Sequence, residues 1–139
     1  MKRWALILIL LATAVASATE PLQVLPGARI ERLDARCSEI GWMLDFLTPG
    51  WLTRELLPVM RKLKCRHTVA HMGMFLAKDG PKQPGFQEFL GLLGDSGDRC
   101  WVKFTGTYRM SASPGFADAA PMARAIIEAT SKRPIFSAG

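Results

Sequence analysis

Two hydrophobic periods alternate along the chain. Trp4 to Ala14 is an unbroken apolar or small run behind Met1-Lys2-Arg3, and Ala14-Val15-Ala16-Ser17-Ala18 follows with small residues at the spacing a signal peptidase reads. A charged start, an apolar stretch and an A-x-A end predict an export signal over residues 1–18. The run is too short for a membrane span, which needs about 20 apolar residues. Beyond it, Ile30, Leu33, Cys37 and Ile40 recur at helical spacing and Gly41 stops them. The short apolar run Trp42–Leu47, interrupted by Asp45, ends at Pro49-Gly50 and predicts a strand entering a turn.

The same alternation continues. Leu52, Leu56, Val59 and Leu63 restore a helix despite Pro58, and His67–His71 reads as a second strand ended by Met72-Gly73. A Gly/Pro-rich loop over residues 79–85 leads to the helical face Phe86, Phe89, Leu90, Leu93, closed by Gly94. Trp101–Gly106 is the best strand. A Ser/Pro/Gly loop then precedes a helix over residues 117–129, with Met122, Ile126 and Ile127 facing inward, and Pro134–Phe136 begins a further strand. Short strands separated by helices of about ten residues specify an α/β fold on a parallel sheet, in the order α, then β-α-β-α-β-α-β. The domain is expected over residues 28–139.

Composition narrows the choices. The chain has 139 residues, 49% hydrophobic, with 18 Lys+Arg against 12 Asp+Glu for a net charge of +6. It is too apolar for a disordered chain and short of the ~250 residues that a closed eight-fold β/α barrel normally takes. Loss of residues 1–18 would remove Lys2 and Arg3 and leave about +4. The densest basic run, Arg61 to Arg66, falls at a helix end, where cations complement the helix dipole. No aromatic residue is interleaved to stack a base, so no nucleic-acid partner is expected. Cys37, Cys65 and Cys100 are odd in number and form no C-x-x-C. That usage suits a cytosolic protein better than an exported one.

Few residues can carry chemistry. His67 and His71 are the only histidines. On a strand they stand about 13 Å apart, too far to share one metal with Cys65. His71 at the C-terminal end of its strand occupies the catalytic edge of β/α barrels. Tyr108 and Arg109 lie just past the Trp101–Gly106 strand on the equivalent loop, where Arg109 could fork onto a carboxylate or pair with Asp118. Asp45 inside an apolar strand either points at a site or marks an edge.

Three motifs in order resemble the amidohydrolase-related family, most closely its 2-pyrone-4,6-dicarboxylate lactonase branch. Val69-Ala70-His71-Met72-Gly73 is similar to V-I-D-H-M-G, and Trp101 to Ser111 to W-V-K-L-S-G-A-Y-R-x-S. Phe116 to Ala125 is similar to Y-A-D-x-A-P-x-A-R-A. Gly41-Trp42 and Leu56-Leu57-Pro58 fit two further segments, so the resemblance covers roughly residues 28–136. It implies a partial (β/α)8 TIM barrel, about half, with roughly four parallel strands and intervening helices, that hydrolyses a lactone or related carboxylic substrate. By that resemblance His71 is catalytic, Arg109 holds a substrate carboxylate, and Tyr108 and Ser111 line the substrate loop. Some branches bind a divalent metal such as zinc, which His71 would ligate, whereas the lactonase-like branch needs none.

The sequence also departs from the family. Nothing corresponds to the opening H-x-H. Leu47 and Met74 replace polar residues, and Gly139 stands where the catalytic aspartate belongs. A truncated, weakly active or inactive hydrolase is the expectation, with copies associating to cover open barrel edges. The alternative is an exported, non-catalytic α/β protein that binds a carboxylate or serves a structural role. Localisation follows the leader: periplasmic or secreted if it is used, cytoplasmic otherwise.

Overall fold

The computed structural model describes residues 8–11 and 27–131. Four strands form one sheet: β1 (Leu8–Leu11), β2 (Leu44–Leu47), β3 (His67–Val69) and β4 (Cys100–Val102). Every pairing is parallel and the spatial order is the chain order. The connections carry α1 (Gly27–Ile40), α2 (Gly50–Met60) and α3 (Pro84–Asp95). A short α4 (Thr107–Met110) and α5 (Ala120–Ala129) follow β4. Parallel neighbours require such crossovers. Because the order never reverses, every crossover helix lands on the same side, as in an arc of a barrel rather than in a doubly wound sheet.

Register assigns the two faces. Leu44, His67 and Cys100 align across the sheet, as do Phe46, Val69 and Val102. All six are buried, and the five apolar ones join Leu56, Leu57, Met60, Phe89, Leu92 and Leu93 of α2 and α3 in one core. Side chains alternate along a strand, so Asp45, Thr68 and Trp101 share the opposite, concave face. Phe75, Phe86 and Phe89 pack ring on ring, with centroids 5.6–6.2 Å apart, and seat the loop after β3 on α3. Asp34 of α1 accepts bonds from the main-chain N–H of Lys64 (2.9 Å) and Cys65 (2.8 Å), tying the first helix to the entrance of β3.

Several expectations change. Leu8–Leu11 lies within the segment expected to be a leader, yet it pairs with β2 at four register positions. β2 is therefore a central strand, and Asp45 does not mark an edge. The expected strand Pro134–Phe136 lies outside the described residues. The Trp101–Gly106 strand is shorter than expected, because Gly106 turns left-handed (φ 67°) and starts α4; Tyr108 and Arg109 thus sit on a helical turn rather than a loop. Helix α5 starts at Ala120, after a 3-10 turn over Pro114–Ala119. Met122 and Ile126 face the core, but Ile127 is 45% exposed. Ile40 is also exposed, since its helix ends one residue before Gly41 turns left-handed (φ 71°). No described helix is long and apolar enough to cross a membrane.

Candidate functional site

The chain leaves β3 through an uncommon backbone path. His71, Met72, Gly73 and Met74 all have positive φ (53°, 51°, 77° and 54°), and three of them bear side chains. Non-glycine residues held there cost of order 1–3 kcal/mol each and concentrate at functional sites. This left-handed turn persists because it is latched from several sides. Met72 N–H donates to the Lys103 carbonyl (3.1 Å) and Gly73 N–H to that of Ala70 (3.1 Å). The Gly73 carbonyl accepts from the buried Thr53 hydroxyl (3.0 Å), which also meets the Thr48 hydroxyl (2.8 Å). Gly50 at the start of α2 lets the turn approach closely: a Cβ there would lie 2.7 Å from the Met74 carbonyl oxygen.

The turn presents the His71 ring to the end of β4. Nδ1 lies 2.8 Å from the Thr105 hydroxyl oxygen. The next residue, Gly106, has its backbone directly against the ring, where an added Cβ would stand 2.3 Å from Nδ1 and 2.4 Å from Cγ. Burial lowers the His71 pKa below the ordinary histidine value. The positive charges of Arg109 and Lys103 push it the same way, against the Thr105 carbonyl and Asp45. His71 is thus neutral near pH 7. Helix α4, which carries Arg109, packs against the His71–Met74 turn, so both residues lie at the C-terminal ends of the strands.

Beneath that rim lies a polar cluster on the concave face. Lys103 Nζ pairs with Asp45 Oδ2 at 2.5 Å, with side chains 23% and 11% exposed, and the Thr68 hydroxyl donates to Asp45 Oδ1. Next to Arg109, a 420 Å³ cavity opens between the loops after β2 and β3 and helix α4. Trp51, Phe75 and Leu76 form its apolar wall, and Arg54, Asp79 and Arg109 its charged edge.

The expected site residues divide. His71 and Arg109 come together. The Arg109 guanidinium lies 5.6 Å over the Tyr108 ring, and its Nε donates to the Tyr108 hydroxyl at 3.3 Å; no ion pair of Arg109 with Asp118 occurs. Tyr108 is 63% exposed. Ser111 instead locks its own loop, donating to Asp118 and accepting from Ser113 N–H (3.1 Å). Sequence reasoning missed Lys103, Thr105 and Gly106. One signal was present, since Asp45 and Lys103 are single opposite charges in otherwise apolar strand runs.

The described residues do not suit a divalent metal. Among the described residues, no group of three His, Cys, Asp or Glu side chains converges to hold one. His67 is buried with its ring edge-on to Phe46 (5.9 Å between centroids), apart from His71. The Cys65 thiol is buried, and that burial, with Asp34 beside it, pushes its pKa up to about 12, away from the thiolate that metals require.

Comparison with known proteins agrees with this geometry. An amidohydrolase family model matches residues 16–138. No curated protein matches. Among solved structures, an Agrobacterium tumefaciens protein in its apo form superposes with a TM-score of 0.68 at 27% identity, covering 80% of this chain and 40% of its own. A Pseudomonas putida protein assigned as a 2-pyrone-4,6-dicarboxylic acid hydrolase gives 0.66 at 26%, covering 78% and 40%. An Acinetobacter baumannii protein of the same assignment, with citric acid bound, shares the fold at 22% identity, with a TM-score of 0.57 and coverage of 70% and 36%. The chain thus spans about two fifths of the length of these TIM-barrel neighbours. With the ordered parallel arc, the strand-end histidine and a family match over most of its length, the chain belongs to the amidohydrolase family.

Proposed function

We propose that the rim formed by His71 and Arg109 is the substrate-facing part of a hydrolase site for a lactone or related carboxylic substrate, and that this chain by itself turns such a substrate over weakly or not at all. The observation that carries the reading is the neutral, backbone-gripped His71 on the same rim as an exposed guanidinium. Arg109 presents planar donors matched to a carboxylate, and the adjoining cavity offers an apolar wall for a ring. The P. putida neighbour, assigned as acting on 2-pyrone-4,6-dicarboxylic acid, suggests the ligand class.

Weak turnover follows from what surrounds His71. A general base must sit within about 3 Å of the proton it takes, and hydrolysis also needs an acid for the leaving group. Among the described residues, Thr105 is the hydrogen-bond partner of the His71 ring, and no carboxylate bonds to it. Calorimetric titration with 2-pyrone-4,6-dicarboxylate, alongside a lactone hydrolysis panel with and without zinc, tests both halves. Saturable heat abolished by Arg109→Ala, without catalysis above background, is expected. Absence of binding overturns the site assignment, and turnover within tenfold of an ordinary enzyme rate of about 10 per second overturns the weak-activity half.

A further inference from the structure

We propose that the 420 Å³ cavity next to Arg109 selects a planar, conjugated ring bearing one carboxylate, with Trp51 stacking on the ring and Arg109 forking onto the acid. The proposal rests on reading this rim as a substrate site and adds what its cavity discriminates. Trp51 and Leu76 line the cavity while 53% and 44% exposed. Trp51 belongs neither to the core nor to the side chains packed against it, so folding does not account for an indole at this place. Its backbone is nevertheless firmly held. Thr53 N–H donates to the Pro49 carbonyl (2.8 Å), the Thr53 hydroxyl donates to the Gly73 carbonyl (3.0 Å), and Gly50 lies against the turn after β3. An aromatic face on a fixed helix start, beside a volume suited to one ring, makes a stacking platform.

Charge narrows the ligand. The charged side chains lining the cavity are Arg54, Asp79 and Arg109. Arg54 pairs with Glu88 (3.3 Å) and Asp79 with Lys78 (3.0 Å). Arg109 meets the Tyr108 ring and hydroxyl, and no carboxylate pairs with it among the described residues. One uncompensated guanidinium fits one carboxylate, which its planar donors can hold bidentately. A saturated ring fills the same volume but offers no flat π face, so Trp51 is the residue that separates the two classes.

Titrating benzoate and cyclohexanecarboxylate into the full chain isolates flatness from size, since each carries one carboxylate on a ring of equal size. The tryptophan indole 1H–15N resonances, with Trp51→Phe to assign its own, report the contact directly. Benzoate is expected to shift the Trp51 resonance and to bind about 2- to 10-fold more tightly than cyclohexanecarboxylate, as one aromatic pair supports. Trp51→Phe should keep that preference, Trp51→Leu should erase it, and Arg109→Ala should abolish binding of both acids. Equal affinities in the unaltered chain, a preference that survives Trp51→Leu, or a Trp51 resonance unmoved by benzoate overturns the proposal. If Trp51→Leu fails to fold, the resonance and the affinity ratio of the unaltered chain still decide it. Isophthalate binding more than about tenfold tighter than benzoate overturns the single-carboxylate assignment. An unmoved Trp51 alongside 2-pyrone-4,6-dicarboxylate heat that Arg109→Ala abolishes would sink this proposal and leave the rim reading standing. A benzoate preference with no dicarboxylate heat would do the reverse.

Discussion

Replacing Gly106 by alanine tests the geometry most directly. Gly106 has φ of 67°, where an L side chain costs about 1–2 kcal/mol. A methyl group there would also begin 2.3 Å from His71 Nδ1. Ordinary contact lies near 3.5 Å, so the ring must retreat by about 1 Å. That retreat gives up the 2.8 Å contact with Thr105, worth about 1 kcal/mol more. Together the substitution should cost about 2–3 kcal/mol in urea unfolding and move the His71 ring resonances. Gly115 supplies the control: its φ is 72°, but a Cβ there meets nothing within 4 Å. Gly115→Ala should therefore cost only the conformational part, about 1–2 kcal/mol, and leave His71 untouched. Equal losses for the two variants, or His71 resonances unmoved in Gly106→Ala, would refute the close-approach reasoning.

Other outcomes follow from single contacts. Lys103→Met should destabilise the fold by about 1–3 kcal/mol by leaving Asp45 partly buried without its cation, and Asp45→Asn with Lys103→Met should cost less than the two separate losses added together; additive losses in urea melts would show the pair to be uncoupled. His67 and His71 both have lowered pKa values, chiefly through burial, so the unfolded chain binds more protons than the folded one once pH drops below the ordinary histidine value. Stability should be full above about pH 7 and decline on acidification from there, with a shallower decline in His67→Leu; a flat profile of the urea midpoint would contradict this. Burial raises the Asp34 carboxyl, but the Cys65 and Lys64 N–H groups outweigh it and hold the pKa below the usual carboxylate range. Asp34→Asn should therefore cost about 1–3 kcal/mol at neutral pH, and less as pH falls below about 4, where the parent carboxylate is itself lost. Thr53→Val removes the hydroxyl that grips the Gly73 carbonyl, and faster amide exchange over residues 71–74 is the expected signature.

Much of the arc was legible because period and punctuation agree. Apolar faces at helical spacing gave α1, α2 and α3 within a few residues, and Gly41 acts as the predicted stop. β2 and β3 lie inside their expected runs and β4 overlaps its own, starting one residue early at Cys100; β3 and β4 stop short of the left-handed residues His71 and Gly106. The pairing of Leu8–Leu11 was hidden, because an apolar run reads alike as a leader and as a buried strand. At the candidate site, motif order singled out His71 and Arg109, and the fold carries both to the ends of β3 and β4. Their supports were illegible for a physical reason: Thr105 and Gly106 act through a φ sign and a distance of closest approach, which a residue type permits but does not announce. Ser111 bonds within its own loop, and a serine there serves its own turn as readily as a ligand, which the residue type alone does not announce.

The dual character of Leu8–Leu11 sets up a choice of fates. A peptidase cut after Ala18 would carry away the neighbour of β2 and bare four positions of its ladder, turning a central strand into a rim. One molecule therefore cannot be both processed for export and sealed along that side. The intact mass of protein recovered from each cellular compartment would report which fate prevails, and a processed form should be the stickier of the two.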